Sequence, residues 1–508
     1  MRSSRTSKLS RPMNASPHPH SLHALQQRHG ARHRWLLLLS VMLGSMAAVM
    51  SSTIMNVAIP DMSHHFTLGQ SRVQWVSSGF MVAMTVSMLT TPWLLARFGY
   101  RRTYEICMLL LLAGGIGGGL ADDYSWVLVA RLAEGLAAGV VQPIPVIIIM
   151  NAFAPEERGR ASGLFGTGVV LAPAIGPSVG GLLVDAFGWR SIFFMVVPLA
   201  LAGLWLARRY VPTTAPGDVP ANAQPGRLDW LGMVLTLLGT VLLLNGLVSL
   251  RQEGLAPALS LLLGAAMAAV AFVAWQMRLQ RRHSHHAHGA QAPLMDLRVF
   301  GHRSFLMGSL VAITYGTALF GSTYLLPVYM QSGLGLSASF VGAALLPAGL
   351  MLAITITLVG RWADRTDKRR LVLVGLALLA ASFALTTTVD PDRGLLSLWL
   401  WVILGRVGLG FILPSLNLGA MHGMPPTLIP QGASVINFLR MLGGAAGVSL
   451  CAIVLEWRLG VAGIHHLGEG DIHTRLQAFH DTFWFLAVLC SLALIPAWLM
   501  AAPEHKKD

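Results

Sequence analysis

Long apolar runs constrain this chain more than any other feature. Of its 508 residues, 54% are hydrophobic and 11% are charged, and the apolar residues are gathered into uninterrupted runs. A helix of about 20 apolar residues crosses a bilayer and satisfies its backbone hydrogen bonds internally. We therefore predict an all-α integral membrane protein with 14 transmembrane helices. The predicted runs are 35–59, 72–96, 104–121, 125–150, 161–184, 190–207, 229–250, 256–277, 304–330, 337–360, 371–389, 395–421, 432–455 and 480–500.

The basic residues predict an orientation. Most of the 36 Lys and Arg residues lie in segments that would share one side of the membrane with the N-terminus. Basic loops favour the cytoplasmic side, so both termini are predicted to be cytoplasmic in a multi-pass protein of the cytoplasmic (inner) membrane. The net charge of +14 is assigned to anchoring at that face, and nucleic-acid binding is not expected. The opposite loops hold Arg72, Arg190, Arg251, Arg393, Arg458 and Arg475.

The run between residues 162 and 181 carries no charge but is rich in Gly and Pro. Small residues four apart form a smooth ridge on a helix, which lets a neighbouring backbone approach closely in lipid. Prolines leave helical carbonyls without their usual donors. We predict a tightly packed, kinked membrane helix. Its first ridge consists of Gly168, Ala172, Gly176 and Gly180, and its second of Pro173, Pro177 and Gly181.

The string G-x-x-x-A-P-x-x-G-P-x-x-G-G in this run resembles the fifth-helix motif of antiporters in the major facilitator superfamily. In that family the motif is taken to pack the fifth helix against the other half and to block leak. The end of the first run is similar to the first-helix motif of the fourteen-helix drug:proton antiporters. Ser51 stands where that family carries an aspartate. Thr53 and Asn56 match the motif and either line a polar path or bond neighbouring helices.

Two basic segments resemble the cytoplasmic-loop motif G-x-L-A-D-R-x-G-R-K of the superfamily. In the first copy the acidic position is Ala96, whereas the second copy has an aspartate there. An acidic residue at a helix end can hold basic residues and backbone amides across an inner gate. A solvated charged turn is the alternative. The first copy contains Arg97, Gly99, Arg101 and Arg102, and the second contains Asp364, Arg365, Arg369 and Arg370.

Helix four carries two ionisable residues, Arg131 and Glu134, which lie on one face because they are three residues apart. The segment is similar to the family motif R-x-x-Q-G, with Glu134 in place of Gln. Ionisable groups inside a span usually face the bundle interior or a cavity. A permanent cation beside a titratable acid predicts a proton relay. A static ion pair that locks the helix is the alternative.

Helix thirteen contains a further interior cation, Arg440, three residues after Asn437. The segment is similar to a family string N-x-x-R-x-x-G-G. Together with Thr53, Asn56 and Gln142, these two residues are predicted to line a central substrate cavity.

The loop motif, the Arg-Gly motif of helix four and the glycine-rich helix each recur eight helices later in the chain. Parallel halves with a site between them are the major-facilitator design. The recurrence predicts two six-helix halves plus two inserted helices. The predicted domains are 1–34 (disordered cytoplasmic tail), 35–208 (N-terminal half), 209–228 (cytoplasmic linker), 229–277 (inserted helices), 278–303 (His-rich cytoplasmic linker), 304–500 (C-terminal half) and 501–508 (cytoplasmic tail).

No metal, cofactor or catalytic site is predicted. Imidazoles in the second linker suit Zn²⁺ or Ni²⁺, but no Cys or carboxylate completes a site, so a flexible basic linker is the stronger interpretation. The three cysteines lie in apolar runs and are expected to be packing residues. The spans contain no nucleophile–base pair, which argues against an enzyme. The residues concerned are His283, His285, His286 and His288, and Cys107, Cys451 and Cys490.

The resemblance extends from Trp35 to Met500 and implies a multidrug efflux antiporter. Such a protein exports amphipathic or hydrophobic small molecules by alternating access, in exchange for protons. With the aspartate missing at Ser51, Glu134 is expected to carry the proton beside Arg131. An uncoupled or uptake facilitator and a non-transporting membrane sensor remain alternatives. Some members of the family work with a periplasmic adaptor and an outer-membrane channel, although no residue here indicates these partners.

Overall fold

The structure is a computed structural model that describes residues 20–221, 226–252, 254–285, 291–389, 395–463 and 472–500. Its helices are α1 (Leu22–His29), α2 (His33–His65), α3 (Gln70–Val73), α4 (Trp75–Ser87), α5 (Thr91–Gly119), α6 (Tyr124–Val141), α7 (Ile144–Ala152), α8 (Arg158–Phe187), α9 (Ser191–Tyr210), α10 (Trp230–Gln252), α11 (Leu255–His285), α12 (Arg303–Val328), α13 (Ala338–Ala363), α14 (Lys368–Thr386), α15 (Leu396–Ala420), α16 (Ile429–Val461), α17 (Ile472–Leu492) and α18 (Leu494–Leu499). The predicted all-α membrane class is confirmed.

Among the described residues, 12 helical segments are long and apolar enough to cross a membrane. The sequence predicts 14, and two features account for the difference. One segment, Trp75–Gly119, has 45 residues, which is about 70 Å of helix and twice the hydrocarbon thickness. Its backbone leaves the helical conformation at Gly99, which divides it into two spans. The 30-residue helix α8 covers the predicted run 161–184 but is not among the 12.

The helices pack as two similar bundles. In the first, α2 packs along α8 and α9, α4 along α6, and α5 along α6 and α9. In the second, α12 packs along α16, α13 along α15, and α14 along α15 and α17. The inserted helices α10 and α11 pack on each other, and α10 also contacts α16 and α4. The pair therefore lies beside both bundles, while the residue bounds of the predicted domains stay a prediction.

The two bundles meet closely where α8 crosses α13, at a contact of Gly159, Gly163, Thr167, Thr357 and Gly360 that we call the α8–α13 seam. A Cβ on Gly360 would lie 2.6 Å from the Gly159 carbonyl oxygen and 2.6 Å from the Gly163 Cα. The hydroxyl groups of Thr167 and Thr357 are 2.6 Å apart and share a hydrogen bond. Glycines allow this approach because two helix backbones can touch directly.

Part of the predicted disordered tail is helical. Residues 22–29 form α1, and α2 begins at His33 rather than Trp35. Ser21 caps α1 by accepting a hydrogen bond from the Ala24 amide at 3.2 Å. Asp218 accepts a second one from the Leu22 amide at 2.8 Å, and Leu25 is buried. The helix forms because the linker after α9 supplies a cap that lies far away in sequence.

Several helices run further than predicted, among them α16, which continues to Val461, and α17, which begins at Ile472. α2 continues through Pro60 to His65, and α11 extends to His285, inside the predicted linker 278–303. Membrane helices tolerate proline where neighbouring groups satisfy the freed backbone. The side chains of the predicted His-rich cluster lie outside the described residues.

Candidate transport site

The ion pair of α6 lies inside the first bundle rather than against lipid. Arg131 and Glu134 are both 0% exposed, and Arg131 Nη1 lies 2.5 Å from Glu134 Oε2. Their three-residue spacing places both side chains on the face of α6 that the bundle covers. Because the buried charges are paired and hydrogen-bonded, much of the desolvation penalty is offset.

Ser51 of α2 completes this pair. Its hydroxyl donates to Glu134 Oε2 at 3.0 Å and accepts from Arg131 Nη1 at 2.6 Å. Arg131 Nη2 also donates to the Ser51 carbonyl oxygen at 3.2 Å. The residue that replaces the family aspartate is therefore part of the network. The first-helix motif identified position 51. The sequence alone indicated only that a carboxylate is missing there, not that Ser51 contacts Arg131 and Glu134.

The rest of the network holds Arg131 and leaves one oxygen of Glu134 free. Arg131 Nε donates to the Val76 carbonyl oxygen at 3.2 Å, and the guanidinium stacks 4.1 Å from the Phe80 ring centroid. Glu134 Oε1 is buried and has no hydrogen-bond partner among the described residues. Gly114 of α5 provides the space for this side chain, since a Cβ there would overlap Glu134 Cγ. A proton can bind at Oε1 while Oε2 keeps its bonds to Arg131 and Ser51.

A second polar group lies in the other bundle. Asn437 is buried and donates from Nδ2 to the Ala433 carbonyl oxygen at 2.8 Å. Its Oδ1 accepts from Arg440 Nη2 at 2.7 Å. Arg440 is half-buried and lies within electrostatic range of Tyr315 on α12. The structure thus brings two of the predicted cavity residues into direct contact.

Apolar residues of both bundles also pack on one another, in a set that we call the methionine cluster. Phe80, Met84 and Met88 come from the first bundle, and Met441 and Phe320 from the second. Phe80 also contacts Arg131, and Met441 follows Arg440 in sequence. The cluster therefore contacts Arg131 through Phe80, and it includes the residue next to Arg440 on α16.

The remaining predicted cavity residues are Thr53, Gln142 and Asn56. Thr53 is half-buried and donates to the Met50 carbonyl oxygen of its own helix at 3.2 Å. Gln142 is buried at the end of α6. The side chain of Asn56 lies outside the described part of the chain. In the described part of the chain, neither Thr53 nor Gln142 hydrogen-bonds to Asn437 or Arg440.

The ridge of small residues on α8 faces α2, a helix of the same bundle. The resemblance implied contact with the other half, but α8 makes that contact through Gly159 and Gly163. Ala172 is buried, Pro173 is half-buried, and the side chain of Pro177 lies outside the described residues. Around the ridge, the nearest side chains are Met42 and Met46 at Gly168, Met50 and Thr53 at Gly176, Ile54 at Gly180 and Val57 at Gly181.

The second loop motif contacts the start of α8. Asp364, at the end of α13, accepts hydrogen bonds from the Gly159 amide at 2.5 Å and the Arg160 amide at 2.9 Å. These amides belong to the first turn of α8, where a negative charge is favoured. Burial raises the pKa of the Asp364 carboxyl above its usual range, although the two amide hydrogen bonds oppose the rise.

The first loop motif forms a tight turn against the linker after α9. Gly99 has a φ of 74°, and a Cβ there would overlap the Thr213 carbonyl oxygen. The next amide, of Tyr100, donates to the Thr214 carbonyl oxygen at 3.0 Å, and Arg101 Nε donates to that of Val211 at 2.8 Å. The turn therefore binds the linker through backbone contacts.

The other basic residues of the two motifs lie at one end of the bundles, which we call the basic end. Arg102, Arg365 and Arg370 are exposed there. Arg97 lies 5.9 Å from the Phe98 ring centroid, and Arg369 lies 4.2 Å from that of Trp498.

Comparison with known proteins gives the family. The profile of the Major Facilitator Superfamily matches residues 41–448. The Multidrug export protein EmrB of Haemophilus influenzae is 28% identical over 435 residues, which cover 85% of this chain and 82% of that protein. The Lincomycin resistance protein LmrB of Listeria monocytogenes is 23% identical over 83% of this chain and 86% of its own.

A solved structure shows the same fold. The proton:xylose symporter XylE superposes with a TM-score of 0.63 and 14% identity, over 92% of this chain and 96% of its own. A likeness at this identity concerns the fold alone. With the profile match over most of its length and two bundles of this architecture, the chain belongs to the Major Facilitator Superfamily and is a multi-pass membrane transporter.

Proposed function

We propose that the chain exports amphipathic or hydrophobic small molecules across the cytoplasmic membrane by alternating access, in exchange for protons. The observation that carries this proposal is the buried network of Arg131, Glu134 and Ser51, with one carboxylate oxygen left without a partner. Relatives that carry multidrug export and lincomycin resistance in their names support the choice of substrates.

Glu134 carries the proton in this proposal. When Oε1 takes up a proton, the network loses its negative charge and Arg131 is left uncompensated. The two protonation states then favour different packings of α6 against α2 and α4. A proton couples to transport only through such differential contacts in the two states.

The methionine cluster supplies the apolar surface for the substrate. Thioether side chains adapt to ligands of different shape, and aromatic rings such as Phe80 and Phe320 add flat contact area. The cluster joins both bundles, so a rocking motion of one bundle against the other would change it. This position links substrate contacts to Arg131 through Phe80.

The test uses everted membrane vesicles in which respiration has built a proton gradient. Ethidium, lincomycin and laurate are added in turn, and proton release is followed with a fluorescent pH probe. At least one compound should release protons with the wild-type chain, and Glu134→Gln should abolish this release while the protein elutes normally in size-exclusion chromatography. Glu157→Gln is the matched control, because Glu157 pairs with Arg34 at the basic end.

Normal proton release by Glu134→Gln would remove Glu134 from the mechanism. Substrate flux without any proton release in the wild type would instead favour an uncoupled facilitator, the function that the serine at position 51 suggests. The proposal also places the basic end and both termini in the cytoplasm, which reporter fusions at the C-terminus can test.

A further inference from the structure

Arg406 is a second interior arginine that the proposed proton site does not use. It lies in the middle of α15 and is half-buried. It lines a small cavity between α12, α14 and α15 together with Ser322, Ser382 and Thr386. These three hydroxyl groups donate to helix carbonyl oxygens, at 3.1, 2.7 and 2.8 Å respectively. No hydrogen-bond acceptor in the described chain pairs with the Arg406 guanidinium.

The comparison with Arg131 explains what is missing. Arg131 and Arg406 begin the same Arg-Gly motif in the two bundles, and in the first bundle Glu134 follows three residues later. The corresponding position in the second bundle is Leu409, which lines the same cavity as Arg406. The acidic residue that pairs with the arginine in the first bundle is therefore replaced by an apolar residue in the second.

Arg440 adds a second cation close by. Its one hydrogen bond among the described side chains goes to the neutral Asn437. Arg440 packs against α12, which also lines the Arg406 cavity: a Cβ on Gly316 would overlap the Arg440 carbonyl oxygen. Both arginines lie within electrostatic range of Tyr315, the residue before Gly316. In the described middle of the spans the first bundle is thus neutral, and the second carries two positive charges.

We propose that Arg406 and Arg440 form an anion-binding site that holds the acidic group of an amphipathic substrate, such as a carboxylate, sulfonate or phosphate ester. Interior cations without an acidic partner are costly in a membrane, and a bound anion would offset that cost. The planar guanidinium matches such groups with two parallel hydrogen bonds. The apolar part of the substrate would contact the methionine cluster, because Met441 adjoins Arg440.

This inference rests on the proposed export function and deepens it by assigning the substrate a charge. The test compares two probes of equal chain length and opposite charge, radiolabelled laurate and radiolabelled dodecyltrimethylammonium, bound to the purified full-length chain in nanodiscs. Arg406→Gln and Arg440→Gln should each weaken laurate binding at least about tenfold, the loss of one charge-assisted hydrogen bond. Dodecyltrimethylammonium binding should stay equal or improve.

Two further variants keep the result interpretable. Arg440→Lys retains the charge and should keep most of the laurate affinity, whereas a general packing defect would lower binding of both probes. Arg458→Gln is the matched control, since Arg458 lies on the same helix and pairs with Asp481 at 2.5 Å. Unchanged laurate affinity in both glutamine variants, or an equal loss for both probes, would overturn the proposal.

A free inorganic anion is the alternative occupant of this site, because it carries the same negative charge as the acidic group of a substrate. Radiolabelled chloride that binds in an arginine-dependent way, with laurate unaffected by either glutamine variant, would assign the site to a free ion and overturn the substrate role. Flux measurements in proteoliposomes distinguish a failure of this inference from a failure of the proposed export function. Transport of dodecyltrimethylammonium without arginine-dependent laurate binding leaves export standing, while the absence of flux for both probes contradicts export itself.

Discussion

The α8–α13 seam can be tested by adding a single methyl group. In Gly360→Ala, the new Cβ would lie 2.6 Å from the Gly159 carbonyl oxygen and 2.6 Å from the Gly163 Cα. Ordinary contacts begin at 3.4 Å, so the two helices must separate by about 0.8 Å. Both neighbouring atoms belong to backbone, so no side-chain rotation can relieve the overlap.

The size of the effect follows from this displacement. Overpacking of this kind costs about 1–3 kcal/mol, and the lengthened Thr167–Thr357 hydrogen bond costs about 1 kcal/mol more. We take about 2–3 kcal/mol for the whole seam, since part of the strain relaxes. At 1.4 kcal/mol for each factor of ten, the ratio of closed to open basic ends should fall about 30- to 150-fold.

Pulsed electron paramagnetic resonance can measure that ratio. Spin labels are placed on exposed positions of the basic end, one in each bundle, by Glu156→Cys and Arg370→Cys. The buried native residues Cys107, Cys451 and Cys490 are replaced by Ala. We expect a short-distance population in the parent and a shift to longer distances in Gly360→Ala. Gly342→Ala is the control, because a Cβ at this position of α13 meets nothing within 4 Å.

Identical distance distributions for Gly360→Ala and Gly342→Ala, with both proteins at the parent melting temperature, would contradict this prediction. That result would mean that the glycine contact does not hold the basic ends together. A loss of melting temperature with an unchanged distribution would also contradict it, because the cost would then fall on folding rather than on closure.

Two further predictions concern the basic end. Burial in the closed seam raises the pKa of Asp364, so the closed state binds a proton more readily than the open state. The closed population should therefore grow as the pH falls through the raised pKa. The effect is complete below the ordinary aspartate pKa of about 3.9. A titration of the same spin-labelled protein from about pH 8 down to about pH 4 should show this change, and Asp364→Asn should remove it. Gly99→Ala places a side chain in a conformation that favours glycine and against the Thr213 carbonyl oxygen, so it should lower stability by at least about 2 kcal/mol in thermal unfolding. Gly117→Ala, where a Cβ on the same helix meets open space, should have little effect, and equal melting shifts would contradict the prediction.

The membrane class and the pairing within α6 could be predicted because both depend on local sequence. The length of an apolar run predicts whether it spans the membrane. A three-residue spacing places Arg131 and Glu134 side by side on any helix. The contact with Ser51 could not be predicted in this way. It joins α2 to α6 across 83 residues, and its geometry depends on how the whole bundle packs.

Contacts between helices that lie far apart in sequence were the least predictable. The small-residue ridge of α8 predicts close packing against another helix, but small residues do not determine which helix that is. In the structure the ridge packs against α2. In the sequence, Asp364 is equally consistent with a solvated charged turn. Its hydrogen bond with the Gly159 amide of α8 is visible only in the structure. α1 likewise needs Asp218, which lies 196 residues from Leu22.

The placement of charges on α6, α15 and α16 also bears on how the chain enters the membrane. α6 carries its arginine and its carboxylate one turn apart, so it can leave the translocation machinery as a nearly neutral unit. α15 and α16 each bring an arginine without an acidic partner on the same face, at a cost of about 2.5–3.5 kcal/mol apiece when inserted alone. During synthesis these two helices therefore depend on neighbours that are already in place, and the second bundle should be assembled cooperatively rather than helix by helix.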